Sequence, residues 1–546
     1  MDGVVLRGAT VWAGADPAPR AAWLLVRDGV VAALGAPGEE PPPHARAVDL
    51  PGHHVVPGFV DAHSHLGASA FLPAVLDGSA WRDASEALAA VRAAAARLPP
   101  ERWVVAMQMD HDDWPDPTLP DAGALEEAAG GRPVLLAEMS LHRGVLSESG
   151  LRRAGLPFPA DPAGDVVRGR GGAPTGLVWE SAFGRAFYRA LRGLAAGMAS
   201  DGLATLLERE AWRHLRLGIT RAHEPGVPPD AAGRLAALRG RTPLRLSWSA
   251  GAADGLLAPP PAPEAVSPDA GDAPPSVKLF ADGAHRCALC LPVSAVVGAT
   301  GAAIRAALAA RDVRPLARLA AEPMRLAVDG VHVPWLRLDD EALRNVAQGH
   351  GAAGHRLRIH ALGNLAAQQA VRALEAVHPA AGATLEHVMA LRERDLDAIA
   401  ASGAAVSLQP GFIPHYGGAL LARGMVGPLR ALPLRSLAAR GVAVSISSDN
   451  PCGPLDPLHN LRLAVTRAMP DGRVVDAREA LERSAALHAA TIAGAAAIGL
   501  PTPPGIAPGA PADLAVCDGD PFAPATRVVA TWVDGREVWS ATAVRG

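Results

Sequence analysis

One apolar run in the 546-residue chain ends in two histidines, one residue apart. It reads Val55-Val56-Pro57-Gly58-Phe59-Val60-Asp61-Ala62-His63-Ser64-His65. On an extended backbone alternate side chains point the same way, so both imidazoles face one side. Two neutral imidazoles so placed can chelate a divalent metal ion. The plainer reading is two polar residues at a strand end. Three more polar residues close apolar runs in the same manner: His360 after Leu357-Arg358-Ile359, His387 after Thr384-Leu385-Glu386, and Asp449 after Val444-Ser445-Ile446-Ser447-Ser448. Lys278 lies inside Ser276-Val277-Lys278-Leu279-Phe280. Each is ordinary alone, but together they are hard to explain by packing.

Lys278 is the single lysine among 51 basic residues; the rest are arginines. A bias of this kind follows drift of tolerant lysines to arginine. The lysine that remains either marks a place where a guanidinium cannot substitute or survives by chance.

The elements that must carry these groups alternate. Strands are expected at Val55–Val60, Val134–Ala137, Leu244–Ser247, Val277–Phe280, Arg356–His360, Thr384–His387, Ala404–Leu408 and Val442–Ser447. Helices are expected at Ala84–Arg97, Leu203–Leu217, Asp340–Gly349, Leu365–Val377, Glu393–Ala401 and Arg478–Ala497. Strand-then-helix units imply a parallel sheet, either an eight-fold barrel or an open doubly wound sheet. In a barrel the carboxyl ends of the strands gather on one face, where active sites lie. Short β-rich segments at both ends of the chain suggest one small β unit built from the two termini.

Composition narrows the function classes. The formal net charge is −4, with 51 basic against 55 acidic residues, which disfavours nucleic-acid binding. Four cysteines cannot form a disulfide framework in a chain of this length. The Cys287-Ala288-Leu289-Cys290 pair lacks a second pair for a structural zinc site. No secretory leader is expected, and no apolar stretch is long enough to span a membrane. The expected setting is the cytoplasm. The expected partner is a small-molecule substrate, with a second copy of the chain as the one macromolecular partner considered.

The sequence resembles the amidohydrolase superfamily, in its YtcJ-like branch, which includes N-substituted formamide deformylase. The matching phrases are Pro57 to His65, Val277-Lys278-Leu279-Phe280-Ala281-Asp282-Gly283, His360-Ala361-Leu362-Gly363-Asn364 and Glu386-His387. They continue with Gln409-Pro410, Ser448-Asp449-Asn450-Pro451 and Pro508-Gly509-Ala510-Pro511-Ala512-Asp513-Leu514. The resemblance implies a distorted TIM (β/α)8 barrel at residues 57–499 and a β-sandwich composed of 1–56 plus 500–546. Insertions are expected at about 80–200 and, as a lid containing a helical run Gly301–Ala321, at about 290–334.

The resemblance also implies one or two divalent metal ions, zinc foremost. His63 and His65 would bind the more buried ion, His360 and His387 the other, and Asp449 would ligate the first and handle the proton. Lys278 falls where many members place a carbon dioxide-derived carbamate that bridges the ions. The chemistry agrees: a primary amine adds carbon dioxide only when neutral, which burial near cations favours, whereas arginine stays protonated. Hydroxide activated by the metal would attack a non-peptide C–N bond of an N-acyl or N-formyl amide. Glu386 or Asn364 would orient the metal-side imidazoles. His142 would bind the substrate or intermediate oxygen, and His223 would line the pocket. The alternatives are a cyclic-amide hydrolase or deaminase on the same metal face, and a non-catalytic barrel that binds or scaffolds.

Overall fold

The computed structural model describes residues 3–13, 20–36, 38–156, 164–310, 313, 316, 322–377, 382–500 and 505–541. Eight strands form the central sheet: β1 (Phe59–Asp61), β2 (Ile219–Val227), β3 (Arg245–Ala250), β4 (Ser276–Phe280), β5 (Arg356–Ala361), β6 (Ala383–His387), β7 (Ala405–Leu408) and β8 (Val444–Ile446). Neighbours in the sheet are neighbours in the chain, and every pairing is parallel. Strands covered on both faces read as near-continuous apolar runs, and β4 to β8 are buried almost throughout. The ends of the sheet meet. Asp449 N–H donates to His63 O at 2.8 Å, His65 N–H to Asn450 O at 2.8 Å, and Ser448 N–H to the Asp61 carboxylate at 3.0 Å. The result is a nearly closed barrel. Its ladder thins to one pair, Ala250 with Val277, between β3 and β4.

Three elements differ from the sequence reading. The run Val55–Val60 is two strands in two sheets: His54–Pro57 joins the terminal sheet, while Phe59–Asp61 opens the barrel. Pro57 has no N–H for a continuing ladder. The N–H of Gly58 donates to Asp513 O at 2.8 Å, and a Cβ at Gly58 would lie 2.4 Å from the Thr220 hydroxyl. The strand at Val134–Glu138 forms, but in a separate six-stranded sheet between β1 and β2. Its barrel place belongs to Ile219–Val227, whose Arg-Ala-His-Glu-Pro interior masked it. The single helix expected over Arg478–Ala497 is broken into Ala477–Glu479, Arg483–Ala489 and Ile492–Ala497. Thr491, at φ −130° and ψ −87°, is off helical geometry and separates the last two.

The remaining helices form near their expected places, as Ala84–Ala95, Gly202–Arg216, Asp340–Ala352, Asn364–Leu374 and Glu393–Ser402. Of the run expected at Gly301–Ala321, the first part belongs to a helix, Val293–Ala310. Residues 311, 312, 314, 315 and 317–321 lie outside the described residues. Leu289–Leu291, Arg325–Ala327 and Gly330–Val333 make a small antiparallel sheet beside that helix. No described helix is long and apolar enough to cross a membrane.

Strands from both ends of the chain share one eight-stranded sheet, joined where Leu514–Cys517 runs antiparallel to His54–Pro57. Leu6, Leu24, Val31, Val55, Leu514 and Trp532 form its core. Asp513 ties this sheet to the barrel. Its fully buried carboxylate meets Arg221 of β2 at 3.0 Å and Arg245 of β3 at 3.3 Å, and accepts the Asp534 N–H at 2.9 Å. Removing one partner of a buried pair leaves an uncompensated charge. Asp513→Ala is therefore expected to destabilise the fold by about 3–5 kcal/mol, read as a lower urea midpoint. An unchanged midpoint would mean that the arginines find other partners.

Candidate metal centre

The carboxyl ends of the barrel strands bring the sequence candidates together. His63 and His65 follow β1, Lys278 lies on β4, His360 on β5, His387 ends β6 and Asp449 follows β8. Asp449 Oδ1 lies 3.3 Å from His63 Nε2 and 3.2 Å from His65 Nε2, and its Oδ2 is 3.9 Å from His387 Nδ1. Ring centroids are 5.3 Å apart for His63 and His65, 4.9 Å for His63 and His387, and 4.5 Å for His360 and His387. His63, His387 and Asp449 each offer a donor atom within 4.8 Å of the others.

The donor set fits a cation. His63 Nδ1, His360 Nε2 and Asp449 Oδ1 are buried without a hydrogen-bond partner. Buried polar groups are otherwise almost always paired, and a bound ion is one reason for such an orphan. Burial holds His63 and His360 well below the usual imidazole range and His387 down to about 4, so all three are neutral ligands at pH 7. Burial alone would raise the Asp449 carboxyl, but His63, His65 and His387 outweigh it and keep it ionised. His387 and Asp449 also hold left-handed backbone, at φ +78° and +52°. Such strain costs energy and concentrates at functional sites.

Lys278 is 4% exposed, and burial, then the Arg358 charge, pushes its amine well below the usual lysine range. Its Nζ contacts the Glu386 carboxylate. Glu386 was expected to orient His360 or His387 and does neither. Besides Lys278, it accepts from Arg358 Nε at 2.7 Å and faces His63 Nδ1 at 3.1 Å. Glu386 and His387 both reach His63, the first at Nδ1 and the second by its ring, 4.9 Å away between centroids. Asn364 also departs from expectation: its amide pairs with both backbone groups of Cys290, at 2.6 and 2.9 Å. His387 is oriented by Gln409, whose Oε1 lies 2.9 Å from Nδ1. The Asp282 carboxyl lies 3.6 Å from His360 Nε2 and is raised by burial to about 8.

His142 faces the same cavity, its ring centroid 5.4 Å from that of His360. Its Nδ1 lies 2.6 Å from the Glu180 carboxylate, which is fully buried. Burial would raise Glu180, yet the His142 contact outweighs it and lowers the pKa to about 2. Glu180 also accepts the N–H groups of His285 and Arg286 at 3.1 Å. A Cβ at Gly283 would lie 2.2 Å from this carboxylate, so glycine is what lets it fit. No spacing in the sequence linked Glu180 to His142, 38 residues apart and on different elements.

His223 does not line the cavity. Its two ring nitrogens meet Ser247 Oγ at 2.9 Å and Ser249 Oγ at 2.8 Å. The next residue on β2, Glu224, takes that place, in line with strand alternation. Its carboxylate accepts the Gly67 N–H at 3.0 Å, and burial raises it to about 7.

A cavity of about 1610 Å³ opens over this cluster. Two other donor groups exist among the described residues, Asp110, Asp112 and Glu138, and Cys290, Asp329 and His332. Arginines already serve both: Arg143 meets Asp112 at 2.8 Å and also Glu138, and Arg392 meets Asp329 at 3.0 Å.

A sequence profile described as "Amidohydrolase family" matches residues 46–539. N-substituted formamide deformylase of Arthrobacter pascens is 27% identical over 543 residues, 94% of each chain. The YtcJ protein of Bacillus subtilis (strain 168) is 25% identical over 546 residues, 95% of each chain. Among solved structures, an uncharacterised metal-dependent hydrolase from Pyrococcus horikoshii superposes with a TM-score of 0.67 at 19% identity. It covers 98% of this chain and 100% of its own. Its Pyrococcus furiosus counterpart gives 0.64 at 20% identity, over 95% and 100%. At these identities the structures bear on the fold alone.

Proposed function

The chain belongs to the amidohydrolase family, and from that premise we propose that it hydrolyses a non-peptide C–N bond, in an N-acyl or N-formyl amide. The observation that carries this reading is the convergence of His63, His65, His360, His387 and Asp449 at the strand ends and Lys278 on β4, with three buried donor atoms that make no hydrogen bond. The formamide-specific name of the Arthrobacter pascens relative supports the substrate class.

His63, His65 and Asp449 would hold one divalent ion, His360 and His387 a second, and imidazole with carboxylate donors suits zinc. When bound, such an ion polarises the amide carbonyl and lowers the pKa of its water. Lys278, whose amine burial pushes down, would add carbon dioxide at Nζ once it gives up a proton to Glu386, forming a carbamate and releasing a second proton. Asp449, ionised in the free site, takes the proton of the attacking water and returns it to the leaving nitrogen, as base and then acid. His142 faces the carbonyl side. The Glu180 carboxylate fixes the orientation of that ring, whose far edge would meet the developing oxyanion. We assign 1–56 with 500–546 to a composite terminal unit and 57–499 to the barrel, with 290–334 as a lid-like insertion.

The test is a panel of N-formyl amines, N-acyl amines, cyclic amides and ring amines given to metal-supplemented protein. Carboxylate release from the linear amides is expected. Ammonia release from ring amines, with no carboxylate from linear amides, would replace this reading with a deaminase.

Glu180→Gln keeps the shape and removes the charge behind His142. We expect kcat to fall by about 10–100-fold, the usual cost of losing an orienting partner, with metal content unchanged. An unaltered kcat would remove His142 from the reaction.

A further inference from the structure

The cavity is larger than a small amide needs. Pockets for drug-sized ligands measure roughly 300–1,000 Å³, against about 1610 Å³ here. The polar cluster at the strand ends accounts for one part of the wall. Another part comes from three helices, Glu180–Ala196, Gly202–Arg216 and Pro229–Ala237, with the turn before the second. They contribute Leu191, Met198, Leu203, Leu207, Ala231 and Leu235. Leu207 and Leu235 are buried, whereas Leu191, Met198, Leu203 and Ala231 keep partly exposed faces. The end of β2 connects the two parts: Glu224, Gly226 and Val227 line the cavity, and Gly226 packs against the Lys278 side chain.

The charged groups along this lobe are already matched. Arg192 pairs with Asp230 at 2.7 Å, and Arg234 approaches the same carboxylate at 3.5 Å. Among the described residues these charges engage one another, and the leucine, methionine and alanine faces beside them are apolar surface that gains by being covered. We infer that this lobe takes a neutral, extended apolar substituent on the amide substrate, several carbons long, while the amide itself sits at the strand-end cluster. The inference rests on the amide-hydrolase reading and narrows its substrate class.

The test uses the full-length protein in two states. With metal removed, binding of N-methyl-, N-butyl- and N-octylformamide is followed by calorimetry; with metal restored, kcat/KM is measured for the same series. Burial of each methylene favours binding, so affinity is expected to rise at least about tenfold from butyl to octyl. Leu203→Glu and Ala231→Trp, at half-buried positions, should each collapse the octyl-to-methyl ratio about tenfold or more. A flat series in the wild type, or an unchanged ratio in both variants, would overturn the inference. Turnover of short formamides with a flat series would sink the lobe alone. A rising binding series with no amide turnover would instead sink the amide-hydrolase reading.

Discussion

Asp449→Asn is expected to lower kcat/KM by about 10³-fold or more, because it removes both a metal ligand and the group that moves the proton. Each part of that effect has a structural source. Asp449 Oδ1 lies 3.2–3.3 Å from two imidazole nitrogens, yet makes no well-directed hydrogen bond to either. Asparagine is nearly isosteric, so the loss should come without unfolding. Its amide, however, carries no negative charge and cannot accept a proton at neutral pH. Melting temperature and metal content should be measured beside the kinetics. A variant that folds, keeps its metal and loses activity places the loss on proton transfer. A variant that retains wild-type kcat/KM would show that another group moves the proton, with His142 the first to examine.

Lys278→Arg should be nearly as damaging, despite conserving the charge class. A guanidinium does not form a carbamate and would place a permanent cation among the metal-side histidines. Lys278→Ala removes the amine and leaves Glu386 with Arg358 as its remaining close basic partner. For either variant we expect loss of about one metal equivalent and most of the activity. Formate or acetate should partly restore the alanine variant by supplying carboxylate oxygens in the vacated space. No such rescue is expected for the arginine variant, whose side chain fills that space. Full metal content and activity in Lys278→Arg would mean that the sole lysine is a survivor of codon drift. The centre would then be mononuclear, on His63, His65 and Asp449 with one further histidine.

How much of this was legible in the sequence depended on whether a signal was local. Strands β4 to β8 are short apolar runs, and the groups that terminate or interrupt them are few and chemically distinct. The candidates His63, His65, Lys278, His360, His387 and Asp449 could therefore be named from spacing. Ile219–Val227 was hidden because β2 is interrupted by Arg221, His223 and Glu224, each of which is satisfied by a distant residue: Asp513, Ser247 and Gly67 respectively. No one-dimensional pattern carries such pairings. The same holds for Glu180, which reaches His142 only once Arg143 pairs with Trp179 in the six-stranded sheet. Glu386 was expected at His360 or His387, but its carboxylate is taken by Lys278, Arg358 and His63, partners on other strands that no local pattern links to it. Asn364 was misread for a similar reason: it opens a helix after β5, and its amide is taken by the Cys290 backbone.

The account rests on a metal centre, so elemental analysis tests it most directly. Protein expressed with zinc or manganese supplementation and freed of loose ions should hold at least about one equivalent of a divalent transition metal. The same measurement on His63→Ala/His65→Ala should fall by about one equivalent. Wild-type protein below about 0.3 equivalents under those conditions, folded and still active on amides, would contradict it.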